Sequence, residues 1–244
     1  MSLLKTATGI IPARYESSRF PGKALATIKG KVMIRWVFEG AQKAQLLERI
    51  IIATDDNRIA DAARKFGAEV VMTSSHHSSG TERVAEIAST LDTPIIINIQ
   101  GDEPLIHGKM IDFLVEALQD ENLPMATLIR RQTDQDRIHD KNEVKVVIDH
   151  SGNALYFSRA PIPFQAQDYY FYHIGIYGYQ RDFLIKFSKL PPSRLEKTEK
   201  LEQLRALEYG HKIKTVEIPF ITQGVDTPGD IKRVEKLLEQ IQND

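Results

Sequence analysis

Two hydrophobic rhythms alternate through the first half of the chain. Short Ile- and Val-rich runs predict buried strands at residues 9–13, 49–54, 69–72 and 94–99. Between them, apolar residues at helical spacing predict helices over residues 32–45, 58–66 and 81–90. Strands separated by helices in this way imply βαβ units and a mainly parallel sheet, buried on both faces.

After about residue 125 the rhythm changes. Residues 125–130, 144–149 and 154–158 read as strands with no helix between them, and Ser151-Gly152-Asn153 reads as a hairpin turn. A further strand is predicted over 173–179, a helix over 199–209, a strand over 212–218 and a closing helix over 227–242. The expected fold class is α/β: a three-layer, mixed but mainly parallel sheet with a small antiparallel insertion within about 125–180. No repeat or Pro/Gly/Ser-rich linker interrupts the pattern, so one domain over 1–244 is expected. In such sheets ligands bind beyond the carboxyl ends of the strands, which directs attention to the segments after Ala13, Thr54, Ile99 and Val225.

Composition narrows the functional classes. The formal net charge of -1 provides no basic field, so nucleic-acid binding through bulk electrostatics is not expected. With no cysteine, disulfides, thiolate nucleophiles and Cys-ligated metals are excluded. Met1-Ser2-Leu3-Leu4-Lys5-Thr6 is too short and polar for a secretory signal. No apolar stretch approaches the roughly 20 residues that cross a bilayer. The expectation is a cytoplasmic protein without membrane association.

Against that background, four segments carry candidate chemistry. Pro12 to Lys23 follows a buried strand with three cations, Arg14, Arg19 and Lys23, and the hydroxyls of Ser17 and Ser18. Such a loop suits a polyphosphate, with Arg forking across oxygens and Lys acting as a point charge. The same residues also suit a solvated basic turn. Neither GxxxxGK[ST] nor GxGxxG is present, which disfavours Walker-type ATPases and Rossmann dehydrogenases. Gln100-Gly101-Asp102-Glu103-Pro104 ends the most apolar strand, where a carboxylate either holds Mg²⁺ against phosphates or caps the next helix. Asp226, before Thr227-Pro228, raises the same choice between metal ligand and helix cap.

Ser79-Gly80-Thr81-Glu82-Arg83 is a third candidate, either a nucleoside-contacting turn or a capping box. His76-His77 before it is an incomplete metal set. The fourth comprises Arg159, His173, Tyr177, Glu202 and Gln203, groups suited to a carboxylated, polyhydroxylated ligand or to a satisfied polar cluster. His173 and Tyr177 share a strand face by parity. The run Glu196-Lys197-Thr198-Glu199-Lys200 reads as a solvated helix face.

Taken in order, these segments closely resemble the 3-deoxy-manno-octulosonate cytidylyltransferases. Ile11-Pro12-Ala13-Arg14, Phe20-Pro21-Gly22-Lys23 and Ser79-Gly80-Thr81-Glu82-Arg83 match first, then Asn98-Ile99-Gln100-Gly101-Asp102-Glu103-Pro104. Ala154-Leu155-Tyr156-Phe157-Ser158-Arg159, His173-Ile174-Gly175-Ile176-Tyr177 and Leu201-Glu202-Gln203-Leu204-Arg205 match family-specific segments, and Gly224-Val225-Asp226-Thr227-Pro228 closes the match. The resemblance implies a nucleotide-diphospho-sugar transferase fold of Rossmann-like type. It implies an enzyme that joins CTP to the eight-carbon sugar acid Kdo, requires Mg²⁺, and acts as a cytoplasmic homodimer supplying lipopolysaccharide synthesis. It also assigns roles. Ala13, Arg14, Lys23, Ser79, Gly80, Thr81, Arg83 and Asp102 would bind the nucleotide. Arg14, Lys23, Asp102 and Asp226 would be catalytic, with Asp102 and Asp226 ligating the metal. Gln100, Arg159, His173, Tyr177, Glu202, Gln203 and Asp226 would line the sugar pocket, the insertion serving sugar binding and dimerisation. Another sugar acid (the 8-amino analogue of Kdo, or sialic acid) is the alternative within this chemistry. A glycosyltransferase or a nucleotide-binding protein is the alternative outside it.

Overall fold

A computed structural model describes residues 6–16 and 20–243; Ser17, Ser18 and Arg19 of the basic loop lie outside the described residues. Strand β1 (Ala7–Ala13) leads through a 3-10 turn (Lys23–Leu25) and the small ribbon β2 (Thr27–Ile28) and β3 (Lys31–Val32) to helix α1 (Met33–Ala41). Next come β4 (Leu47–Thr54), α2 (Asn57–Lys65), β5 (Glu69–Met72), α3 (Gly80–Ala88), β6 (Ile95–Asn98) and α4 (Gly108–Ala117). The second half contains β7 (Met125–Gln132), β8 (Lys145–Ile148), β9 (Ala154–Ser158), β10 (Tyr170–Gln180) and α5 (Arg181–Phe187). It continues with α6 (Arg194–Glu199), α7 (Gln203–Glu208), β11 (Ile213–Glu217) and α8 (Pro228–Asn243).

The main sheet runs β11-β7-β10-β6-β1-β4-β5. All neighbours pair in parallel except β10, which is antiparallel to both β6 and β7. The continuous apolar runs read from the sequence are explained by burial on both faces. In β6, Ile95 and Ile97 join one core with Ile34, Val37 and Phe38 of α1 and Leu114 of α4. Ile96 joins the opposite core with Val84 and Ile87 of α3 and Phe183 and Phe187 of α5. Period-two alternation therefore feeds two helical layers rather than one.

The predicted antiparallel segment divides differently from the sequence reading. Strands β7 and β10 belong to the main sheet, and only the hairpin β8–β9 stands off it, pairing through β8 with the first part of β10. An irregularity between Ile174 and Tyr177 separates the hairpin-facing part of β10 from the part packed against β6. The Ser151–Asn153 turn forms as predicted. Asp149 Oδ1 accepts from the backbone N–H groups of Ser151 and Asn153, both at 2.8 Å, and Gly152 supplies the left-handed residue at φ 74°.

Three local expectations are corrected. Helix α1 stops at Ala41 rather than Gln45, because Asp112 on α4 accepts from the N–H groups of Gln45 and Leu46 at 2.9 Å and turns the chain towards β4. The predicted helix over 199–209 begins only at Gln203, as α7, because a separate helix, α6, ends at Glu199 and Lys200 after it is left-handed at φ 56°. The run Glu196–Lys200 is not merely solvated. Glu196 completes a capping box with Ser193 and forms a forked pair with the largely buried Arg205, while Glu199 accepts hydrogen bonds from the end of β9. Helices α4 and α5, which the pattern did not resolve, complete the two layers.

Helix α4 starts in direct contact with the chain after α1. A Cβ on Gly108 would lie 2.3 Å from the Lys43 carbonyl carbon and 2.5 Å from the Ala44 nitrogen, both backbone atoms that cannot rotate away. Gly108→Ala should therefore destabilise the fold by about 1–3 kcal/mol, as overpacking does. An unchanged urea midpoint for that variant would contradict this account of the packing.

Candidate active site

The site is built where β1, β6 and the entry to α8 meet. Gly101 follows β6, and a Cβ there would come within 2.8 Å of the Pro12 carbonyl oxygen, so only glycine lets this turn pass beside β1. The Val225 N–H then donates to the Asp102 carbonyl at 2.9 Å, which ties the turn before α8 to the turn after β6. On the remaining side, the Gly22 N–H donates to the Tyr15 carbonyl at 2.8 Å and closes the basic loop upon itself. Lys23 therefore points at two carboxylates. Its ammonium is bonded to Asp102 and stands 3.8 Å from Asp226 Oδ1.

Asp102 is released from helix capping, and the turn carrying Asp226 is closed from within α8. His107, not Asp102, caps α4, its Nδ1 accepting from the Lys109 N–H at 3.2 Å. At α8, Asp230 reaches back and accepts from the N–H groups of Asp226 and Thr227 and from the Thr227 hydroxyl. Beside them Glu103 is held neutral. Burial, followed by repulsion from Asp102 and Asp226, pushes its carboxyl up to about 8. Its Oε2 is buried without a hydrogen-bond partner.

A cleft of about 240 Å³ opens over this cluster. Among the residues singled out from the sequence, Ala13, Arg14, Lys23, Ser79, Gly80, Arg83, Gln100, Asp102 and Asp226 line it. Ser79 also caps α3, its Oγ accepting from the Glu82 N–H, so the two readings of that turn hold together. Arg83 reaches the wall but spends its guanidinium inward, on Asp55 Oδ2 at 3.0 Å and on Thr73. Thr81 turns away and donates to Glu202. His77, set aside as an incomplete metal set, lines the cleft and is bonded to Glu86.

The remaining residues of the sugar group occupy three settings. His173 and Asp226 line a second hollow of about 720 Å³, so Asp226 is common to both spaces. Glu202, bonded to Thr81, is pushed up by burial, and Tyr177 is raised by burial and then by the Glu202 charge. Gln203 is buried with Nε2 unpartnered. Arg159 stands at the end of β9, its guanidinium donating to the backbone carbonyls of Glu199 at 3.1 Å and Lys141 at 2.9 Å.

Imidazole chemistry at His173 is fixed by its neighbours. Its ring stacks edge-on to Phe157 and lies 5.3 Å from the Tyr177 ring. Thr127 Oγ1 lies 2.9 Å from both His173 Nε2 and the Ile176 carbonyl. With the hydroxyl hydrogen given to that carbonyl, Nε2–H donates to Oγ1 and Nδ1 remains an acceptor. Burial pulls His173 down to about 3. The folded chain therefore keeps the ring neutral, whereas the unfolded chain protonates it below about 6.5, so stability falls as pH drops through that value. His173→Gln should lose less thermal stability than the parent between pH 7 and 5; parallel melting curves across that range would refute the assignment.

Comparison with known proteins agrees with this geometry. Residues 8–213 match the cytidylyltransferase family. A 3-deoxy-manno-octulosonate cytidylyltransferase of Solibacter usitatus is 53% identical over 236 residues, covering 95% of this chain and 94% of its own. Its counterpart in Syntrophobacter fumaroxidans is also 53% identical, over 241 residues, with 95% and 96% covered. The solved structure of a CMP:2-keto-3-deoxy-manno-octonic acid synthetase complexed with CTP is 41% identical with a TM-score of 0.91, covering 96% of this chain and 99% of that one. The fold also matches a 4-diphosphocytidyl-2C-methyl-D-erythritol synthase from Anaerococcus prevotii at TM-score 0.65 and 14% identity, covering 96% of each chain. With a cleft of this construction and identity of this extent over nearly its whole length, the chain belongs to the 3-deoxy-manno-octulosonate cytidylyltransferase family.

Proposed function

We propose that the protein transfers CMP from CTP to Kdo, giving CMP-Kdo and pyrophosphate. The observation that carries this reading is the Lys23–Asp102–Asp226 cluster at the floor of a cleft walled by Arg14, Ser79 and Gly80. The protein that shares this fold at TM-score 0.91 holds CTP. Kdo presents an anomeric hydroxyl that must attack the α-phosphorus roughly in line, expelling pyrophosphate. Such a transfer depends on positioning and charge neutralisation more than on covalent chemistry. Arg14, exposed at the rim, and Lys23, at the floor, are placed to take the leaving phosphates.

Mg²⁺ suits the oxygen-only donors at the floor. Among the described residues no group of three or more metal-ligating side chains converges. Two carboxylates completed by substrate phosphates are nonetheless the usual support for this ion. Asp102 and Asp226 would hold it, and Lys23, now bonded to Asp102, would turn to the phosphates. When bound, the ion offsets the repulsion between triphosphate and sugar carboxylate and stabilises the departing pyrophosphate. Arg159, His173, Tyr177, Glu202 and Gln203 would meet the sugar acid, with Gln100 at the junction.

We place the reaction in the cytoplasm, in a homodimer that supplies lipopolysaccharide synthesis. Among the described residues no helix is long and apolar enough to cross a membrane. Asp102→Asn should lower Mg²⁺-dependent pyrophosphate release from CTP and Kdo by about a hundredfold or more, the scale of losing a group that stabilises transition-state charge, with the melting curve preserved. Near-normal turnover would overturn the metal assignment. Lys23→Ala should raise the KM for CTP and depress kcat, and unchanged values of both would remove Lys23 from the mechanism. Substituting the 8-amino analogue or sialic acid for Kdo in the same assay separates the sugar acids.

A further inference from the structure

Lys145 opens β8 and has 0% of its surface exposed. Its ammonium donates to three backbone carbonyls, two in the loop just before it, Asp140 at 2.8 Å and Glu143 at 2.6 Å, and one beyond the hairpin, Arg159 at 2.7 Å. Among the described residues no carboxylate forms an ion pair with it. A buried ammonium bonded only to neutral oxygens is an expensive way to fill space, since an apolar side chain of similar length avoids the desolvation. Its geometry is informative because one of the three carbonyls belongs to Arg159.

The same residue is gripped from the opposite side. The Glu199 carboxylate accepts from the Arg159 N–H at 3.0 Å and from the Ser158 hydroxyl at 2.7 Å. The Arg159 guanidinium then donates to the Glu199 and Lys141 carbonyls. Carbonyl, amide and side chain of Arg159 are thus each fixed, by the hairpin on one flank and by the end of α6 on the other. Its partners at the guanidinium are neutral carbonyls, and no described carboxylate pairs with it. Its Nη2 also reaches the Lys200 carbonyl at 3.5 Å, so the cation is held entirely by neutral oxygens and keeps its charge for a longer-range partner such as a carboxylate.

We infer that Lys145 and Glu199 are positioning residues for the sugar-acid half of the site, fixing the Ser158–Arg159 segment and with it the Arg159 cation that attracts the substrate carboxylate. This inference rests on the reading that Arg159 meets the sugar acid. Lys145 contributes nothing to the nucleotide cleft, and Glu199 lies outside both hollows. Their loss is therefore felt by one substrate and not by the other.

Lys145→Met and Glu199→Ala test this in the full-length enzyme, by pyrophosphate release with CTP and Kdo each varied in turn. Each variant should raise the KM for Kdo about tenfold or more while the KM for CTP stays within about twofold, the signature of lost uniform binding of one substrate. A parallel rise in both KM values, a fall in kcat alone, or no change would overturn the assignment. If Lys145→Met fails to show a cooperative melt, Glu199→Ala, at a partly exposed position, decides by the same criteria. A parent enzyme that releases no pyrophosphate with Kdo would instead defeat the functional reading itself, which keeps the two failures distinct.

Discussion

One charge balance organises the site: two carboxylates, Asp102 and Asp226, placed beside a single ammonium, Lys23. Like charges at this separation repel strongly outside bulk water, so the arrangement needs both a counter-ion and a rigid frame. Lys23 supplies the first. The frame is backbone: the hydrogen bond from Val225 N–H to the Asp102 carbonyl, and a Gly101 turn that touches Pro12. Glu103 shows the electrostatic cost of the arrangement, since burial and two neighbouring carboxylates push its carboxyl up to about 8.

Strand β10 links this cluster to the rest of the pocket. It is the one antiparallel member of the main sheet and the longest strand, and it changes partners along its length. Its first part supports the hairpin that carries Arg159, and its last part pairs with β6, whose end delivers Gln100 and Asp102. His173 and Tyr177 sit on either side of the irregularity between those parts, with their rings 5.3 Å apart. The cleft at the end of β6 and the hairpin carrying Arg159 are therefore joined through one strand.

Charged residues whose side chains turn inward serve mainly to fix segments. Arg83 is turned inward onto Asp55 and Thr73, Arg205 onto Glu196, and Lys145 onto three carbonyls. Each is buried and has its donors satisfied, the condition under which a buried charge is tolerated. These residues explain how short elements such as α6 and α7, each six residues long, hold position without long-helix cooperativity.

The sequence by itself determined the α/β class, most strands to within a few residues, and the turns on which the chemistry sits. Each of these is written locally, in a period of two or of 3.6, a glycine, or a strand end. It also named Arg14, Lys23, Asp102 and Asp226 as a group, through resemblance rather than spacing, because residues 14 and 226 have no local relation. Only the tertiary structure decided that Asp102 is not a cap, since His107 takes that work, and that Asp226 comes to stand beside Asp102 and Lys23. It likewise decided that β10 enters the main sheet and that the helix expected from residue 199 starts only at Gln203, after the left-handed Lys200. The roles of Lys145 and Glu199 were not legible for a related reason: each meets the Ser158–Arg159 segment across the fold, and no pattern along the chain records that meeting.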